Sequence, residues 1–274
     1  GYVQKPPIMD NVIYYDGTVA SDPSNESFIS SEAGVNFSTE NVAVKVSAYN
    51  TDWKDRNLTK AVTTGQGDSG DTDVIFLKGI GQKHQGLEIE GSMKLNDMIR
   101  LDGAVSFGKW KFDGDADGLY TEYAEDAPVQ TPYTYTLDGL YVGDQPQTAY
   151  VLGTTLTPMD GLRLQGIFKM YDKNYADWSP DSRELSGDAD RTQVWQAPGY
   201  NRLALHASYK LPKIAGYDMT LTGHVFNALD AVYVQDAVDN SQYNGYGDKM
   251  HLPHNAEVFL GTPRYANIGL VVNF

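Results

Sequence analysis

Arg264-Tyr265-Ala266-Asn267-Ile268-Gly269-Leu270-Val271-Val272-Asn273-Phe274 closes the chain, and its reading decides the fold. Side chains of an extended strand alternate faces, so Ala266, Ile268, Leu270, Val272 and Phe274 share one side and Asn267, Gly269, Val271 and Asn273 the other. One face is apolar from end to end. A tilted strand of about ten residues crosses a bilayer's hydrocarbon, so this stretch, ending on an aromatic, implies an outer-membrane barrel.

Working back from it, the same alternation recurs. Leu203, Leu205, Ala207 and Tyr209 oppose Arg202, His206, Ser208 and Lys210, and after the turn at Pro212 to Gly216, Met219, Leu221 and Val225 oppose Asp218, Thr220, Thr222 and His224. A strand reaching Thr157, the turn Pro158-Met159-Asp160-Gly161 and the strand from Leu162 to Tyr171 form the preceding unit. Leu87 to Leu95 and Ile99 to Phe107 flank a turn at Asn96-Asp97, and Ser27 to Ser38 and Val42 to Thr51 flank Thr39-Glu40-Asn41. Charges at every second position exclude the interior of a soluble parallel sheet.

Between these hairpins the chain is long and irregular: Lys54 to Lys83, Asp113 to Gln147, the stretch before Gly199, and Ala228 to Pro263 are expected to be loops. Short turns and long loops thus alternate strictly, the asymmetry of outer-membrane barrels with short periplasmic turns and longer extracellular loops. With Phe274 periplasmic, all four short turns fall on the periplasmic side. Phe37, Tyr209, Tyr217 and Phe274 are expected in an inner aromatic girdle, and Trp53, Trp110, Phe112, Tyr171 and Tyr265 in an outer one.

Nine strands are counted, the first running inward, and Gly1 to Glu26 reads as a loop that follows a strand lying before the chain. Barrels need closure because an open edge in lipid leaves backbone groups unpaired at several kcal/mol each. The nine strands are therefore expected to be part of a barrel.

Composition narrows the rest. No run approaches the roughly 18 apolar residues of a membrane helix, and Cys is 0, which removes disulfides, thiol catalysis and cysteine-ligated zinc. A leading basic-then-apolar segment is not seen, which fits a mature or truncated product. The net charge of −15 argues against nucleic acid as a partner and favours cations or cationic ligands.

Asp113-Gly114-Asp115-Ala116-Asp117-Gly118 opens like a calcium loop, with oxygen ligands at alternate positions and glycine at the turn, although position twelve is Ala124 rather than Glu. Asp113, Asp115 and Asp117 are the candidate Ca2+ ligands, against the alternative of a solvated acidic loop. The same loop holds Glu122, Glu125, Asp126, Asp138 and Asp144 with no Lys or Arg. Its Tyr120, Tyr123, Tyr133 and Tyr135, with Trp178 and Trp195 of the next loop, are the candidate ligand-contacting aromatics, since acid plus tyrosine makes a plausible capture surface. Divalent cations bridging to lipopolysaccharide are the other reading of the acid. His251, His254 and Glu257 have a spacing a metal could use on a helical turn, but Pro253 discourages the helix.

Several stretches resemble TonB-dependent outer-membrane transporters. Lys83-His84-Gln85-Gly86-Leu87-Glu88-Ile89-Glu90 is similar to a strand opening of that family, and Val142-Gly143-Asp144-Gln145-Pro146 to its "Gly-x-x-Pro" signal. His224-Val225-Phe226-Asn227-Ala228-Leu229-Asp230 with Tyr233 resembles its "Asn-Leu-Phe-Asp-x-x-Tyr" strand, and Gly261-Thr262-Pro263-Arg264 through Phe274 its final strand. Glu32-Ala33-Gly34 and Asn50-Thr51-Asp52-Trp53-Lys54 are similar to receptors of Bacteroidota type.

The resemblance implies an all-β, antiparallel transmembrane β-barrel portion, about nine strands of an expected 22, with residues 1–274 forming the carboxy-terminal part of one barrel domain. It implies import of a scarce nutrient (siderophore, cobalamin, glycan or peptide) at a bacterial outer membrane. The implied partners are a plug domain and the remaining barrel strands, both outside this chain, the TonB complex, and outer-membrane lipid and lipopolysaccharide. The alternatives are a stand-alone barrel acting as a surface protease, for which no adjacent acidic pair accompanies a histidine, or a docking and adhesion platform for a surface lipoprotein.

Overall fold

The structure is a computed structural model. It describes the chain apart from positions 8, 10–11, 14–16, 18, 20–23, 65–70, 124–127, 179, 181–182, 184–190, 214–215, 242–249 and 274, so the terminal Phe274 and the Gln66–Asp71 loop tip up to residue 70 lie outside the described residues.

The wall is made of β1 (Tyr2–Lys5), β2 (Glu26–Ser38), β3 (Val42–Thr64), β4 (Asp71–Lys94), β5 (Ile99–Phe112), β8 (Thr148–Met159), β9 (Leu162–Asp172), β12 (Tyr200–Lys210), β13 (Asp218–Phe226) and β16 (Tyr265–Asn273). The long connections carry β6 (Ala116–Tyr123), β7 (Pro128–Tyr135), β10 (Asn174–Tyr175), β11 (Gln196–Ala197), β14 (Val234–Val238) and β15 (Glu257–Leu260). Neighbouring wall strands pair in the order β1-β2-β3-β4-β5-β8-β9-β12-β13-β16, all antiparallel, and β1 and β16 are not paired with one another. The barrel is not closed within the chain.

Register explains why the alternation matters. Val35 faces Val46, Val46 faces Ile89, Ile89 faces Val105 and Val105 faces Tyr150. Further along, Leu205 faces Val225 and Leu221 faces Leu270. A one-residue slip at any pairing would throw a strand's apolar set onto the opposite face. The apolar face is bare: Ile268 is 84% exposed, Val35 73% and Leu152 57%. So extended an apolar surface is far larger than the patches a water-soluble monomer leaves open. On the opposite face Lys45 pairs in register with Glu90, and Arg100 donates through Nε and Nη2 to Asp102 at 2.9 and 2.6 Å.

Three expectations are corrected. Tyr2–Lys5 is itself a strand, pairing with Glu26 to Ile29, so at least the last residues of the neighbour of the first counted strand lie inside the chain. The Lys54–Lys83 stretch is the far half of a β3–β4 hairpin whose pairing runs out to Thr64 and Asp71, past irregularities between Trp53 and Leu58. The Asp113–Gln147 stretch contains the β6–β7 hairpin, and β6 pairs with the outer half of β4, Val74 to Lys78. The outer aromatic girdle is also different: by strand parity Trp53, Trp110, Tyr171 and Tyr265 lie on the polar face. Trp110 there donates Nε1–H to the Tyr49 hydroxyl at 2.9 Å and stacks on His84, while Phe112 is buried.

Two of the stretches similar to the transporter family, around Asn227 and around Gly261, form a latch between β13 and β16. Asn227 folds back with φ 46°, donates its amide to the carbonyls of Ala231 and Thr262 at 2.9 and 3.2 Å, and accepts from Ala231 N–H at 3.1 Å. Asp230 accepts from Arg264 N–H at 3.1 Å, with the Arg264 guanidinium 3.4 Å away. Tyr233 stacks on Tyr200 and accepts from Arg202 Nη1 at 2.9 Å, and its ring occupies the space a side chain at Gly261 would need.

Candidate functional site in the loop layer

The hydrophobic core of this chain sits in the loop layer at the end of the wall where the long connections gather. Ile75, Leu77 and Ile80 of β4, Phe112 at the end of β5, Ala116 of β6 and Tyr135 of β7 pack with Leu137, Leu140, Tyr175, Trp178 and Val194. The wall has no interior to bury these residues in, so the loops supply their own. Burial of each large side chain is worth about 1.5–3 kcal/mol, which turns long connections into one folded cap.

Gln147 ties the cap to the wall. Its side-chain amide acts as a missing strand residue, accepting from Trp110 N–H at 2.9 Å and donating to the carbonyls of Trp110 and Val142 at 3.0 and 3.1 Å. Gly143 is pressed against the backbone of Ala176 and Asp177, where a Cβ would stand 2.5 Å from the Asp177 nitrogen.

The six candidate aromatics fall into different places. Tyr135 and Trp178, 1% and 5% exposed, are core, with ring centroids 6.4 Å apart. Tyr120 and Tyr133 are half-buried and meet edge to face at 6.2 Å, Tyr133 continuing to Tyr135. Trp195 is half-buried in the next loop, its carbonyl accepting from Ala176 N–H at 2.8 Å. Tyr123 lies at the end of β6, and its side chain is outside the described residues. Two further rings complete the layer: Tyr141 stacks on Tyr175 at 4.1 Å, with the Lys111 ammonium over Tyr141 at 4.5 Å. Burial and the neighbouring Tyr141 push the Tyr175 phenol up to about 12.

The candidate calcium ligands take up loop-locking roles. Asp115 receives Arg191 Nη1 and Nη2 at 3.2 and 2.9 Å and the backbone N–H groups of Leu137 and Asp138, each at 3.0 Å. Those bonds, led by that of Arg191, hold its carboxyl below the usual carboxylate range. Asp117 accepts from Thr134 across the β6–β7 hairpin at 3.1 Å. Asp113 donates its backbone N–H to Gly81. Among the described residues no three His, Cys, Asp or Glu converge on a common metal position.

Two clusters join loops that spacing along the chain could not connect. Asp144, Asp177 and Asp236 come from three separate connections. Asp144 keeps an open side to solvent, yet desolvation by the surrounding loops, the Asp177 charge and a hydrogen bond with Asp236 push its carboxyl up to about 7. Deeper in, Asp239 accepts from Trp195 N–H at 3.1 Å through Oδ1, while its Oδ2 lies 2.5 Å from His251 Nδ1 and 3.4 Å from Arg183 Nη2. Asn240 completes this nest through His251 N–H at 3.0 Å. His251 is buried and His254 exposed, and Glu257 accepts from Ser241 Oγ at 2.8 Å, so the three do not meet at a metal position. In these clusters Asp144, Asn240 and His251 hold left-handed backbone, which residues other than glycine adopt at a cost.

A wall with one bare apolar face, one charged face, short turns at one end and a folded loop cap at the other defines part of a transmembrane-type β-barrel. Residues 10–228 match the family described as TonB dependent receptor-like, beta-barrel, and the chain belongs to that family. The solved copper transporter OprC shares the fold with a TM-score of 0.62 at 13% identity over 98% of this chain and 35% of that one. BauA, the ferric preacinetobactin receptor from Acinetobacter baumannii, aligns at 0.34 with 12% identity over 90% of this chain and 43% of that one. The Ralstonia pickettii toluene transporter TbuX aligns at 0.29 with 13% identity over 82% and 71%; at these two scores neither likeness informs the fold. The chain spans about a third of the copper transporter's length. A search of curated protein sequences finds no match.

Proposed function

We propose that this chain is the carboxy-terminal wall and loop cap of an outer-membrane receptor that imports a scarce nutrient, of the siderophore, cobalamin, glycan or peptide kind, by TonB-coupled uptake. Membership of a family of transport receptors supports the general reading. The observation that carries it furthest is the division of the wall into a bare apolar face and a charged face under a single loop cap. The apolar face meets lipid and, at its outer rim, lipopolysaccharide; the charged face meets water and a plug domain; the strands beyond β1 and β16 come from the remainder of the barrel. Capture falls to the half-buried rings Tyr120, Tyr133 and Trp195, with Tyr135 and Trp178 backing Tyr133 and Tyr120. A calcium ion held by Asp113, Asp115 and Asp117 would have to displace Arg191 from Asp115.

The test is uptake. Cells relying on this receptor are given labelled nutrients of each class, with and without a functional TonB complex. One class should accumulate only when both receptor and TonB are present, and Tyr133→Ala or Trp195→Ala should weaken its capture at unchanged receptor abundance. Uptake that continues without TonB would overturn the reading.

A further inference from the structure

A transverse row of polar side chains crosses four strands of the charged face, in the register Gln165, His206, His224, Asn267. Its centre is a directly opposed pair of histidines on β12 and β13, with Nδ1 of His206 and Nδ1 of His224 2.8 Å apart. Both rings are half-buried at a recess of about 370 Å³ lined by Arg163, Gln165, Ala207, Ser208 and Phe226. We propose that His206 and His224 form a two-histidine site for a divalent transition-metal ion, copper(II) above all, on the charged face of the wall.

The geometry supports this in three ways. Two imidazole nitrogens bound at about 2.0 Å in adjacent corners of a square-planar ion stand about 2.8 Å apart, whereas a tetrahedral ion separates them by about 3.3 Å. The observed 2.8 Å is the hydrogen-bond spacing of the two rings, and at that spacing both nitrogens can reach adjacent corners of a square-planar ion, the geometry copper(II) and nickel(II) adopt, without the strands moving apart. Secondly, the rings are held on rigid elements: Phe226 meets His206 edge to face at 5.4 Å and stacks on His224 at 6.2 Å, and is itself stacked on Tyr265 at 4.7 Å. Little rotamer freedom remains to be lost on binding. Thirdly, the pair needs no net change of protonation. Two neutral rings share one Nδ1 proton between them, and moving it to Nε2 of the donor ring frees both Nδ1 lone pairs.

Gln165 engages its amide nitrogen with Thr155 Oγ1 at 3.3 Å, so its carbonyl oxygen is the end left to face the row. Water or that oxygen can fill the remaining corners, since among the described residues no third His, Cys, Asp or Glu joins the pair. Arg163 at the same recess opposes every dication alike, so the ion that binds imidazole most strongly, copper(II) by the Irving–Williams order, is the one to overcome it.

The test uses the complete protein that carries this chain, purified in detergent without a histidine tag and titrated with copper(II) alone, read by calorimetry and by electron paramagnetic resonance. The expected result is a site with nitrogen splitting from two imidazoles. His206→Gln and His224→Gln should each lose one nitrogen and weaken binding by about tenfold or more, while His254→Gln changes neither. Heat-modifiable gel migration selects the folded fraction of each variant, and glutamine keeps a polar pair across the strands. If the folded double variant H206Q/H224Q binds copper(II) as the parent does, or the parent shows no two-nitrogen signal, the proposal is overturned.

Discussion

Arg183 and Asp239 meet at 3.4 Å with neither side chain exposed to solvent, joining the connection after β9 to the one after β13. Removing one member of such a pair leaves a buried charge without compensation, at a cost of about 3–5 kcal/mol. Asp239→Ala should therefore loosen the loop cap, and it also deprives Trp195 N–H and His251 of their acceptor. The expected readout is faster hydrogen exchange and faster proteolytic cleavage within residues 173–199 and 227–264, with β-sheet content unchanged. A variant in which both Arg183 and Asp239 become apolar should recover part of the loss, because no unpaired charge remains.

Acidity should tighten the contact among Asp144, Asp177 and Asp236. The Asp144 carboxyl is raised from its usual 3.8 to about 7, so the folded cap holds that proton more firmly than the open chain does. Its contribution is complete below about 3.8, declines as pH rises through that window, and is gone above about 7. Because Asp144 keeps contact with solvent, screening trims the effect. Protection of the Ala176 and Asp177 amides, taken relative to their intrinsic base-catalysed exchange rates, should be higher at pH 5.5 than at pH 8, and Asp144→Asn should flatten that dependence. A profile that keeps its slope in the asparagine variant would place the titrating group elsewhere.

The two faces of the wall should respond unequally to the same substitution. Leu152 stands on the bare apolar face and Ser92 on the charged face, in register with Asp102. Lysine at the lipid side of a barrel costs about 2–4 kcal/mol near the midplane and much less toward the interfaces. Leu152→Lys is expected to reduce the yield and heat resistance of the folded barrel in outer membranes, while Ser92→Lys leaves both near the parent level. Equal sensitivity at the two positions would contradict the assignment of faces.

What the sequence made legible follows from period. Every wall strand counted by alternation is present, because a strand between an apolar and a polar phase writes its period of two into the residues. The outer halves of β3 and β4 leave that boundary and pack on the cap, so their apolar residues run together as Ile75, Phe76 and Leu77 and lose the alternation. That short apolar run was the available sign of a buried strand. Pro128 and Pro132 obscured β7, since proline removes ladder donors. Arg183, Asp239 and His251 were beyond reach, because contacts across 56 and 68 residues leave no periodic trace.

Gly261 tests whether the latch between the last two wall strands is structural. The Tyr233 ring fills the space where a Cβ would sit, its N–H partner Gly261 donates to the Tyr233 carbonyl at 2.9 Å, and the ring also stacks on Tyr200 and accepts from Arg202. Alanine at this position must displace the ring or part the two segments, an overpacking cost of about 1–3 kcal/mol. Gly261→Ala is expected to lower the unfolding midpoint of the folded protein in detergent. Tyr233→Ala should lower it too, through the lost stack. Their combination should cost less than the sum of the single variants, because once the ring is gone the new methyl has room. Strict additivity would mean that Tyr233 and Gly261 act through separate contacts, and the latch would then owe its hold to Asn227 and Asp230 alone.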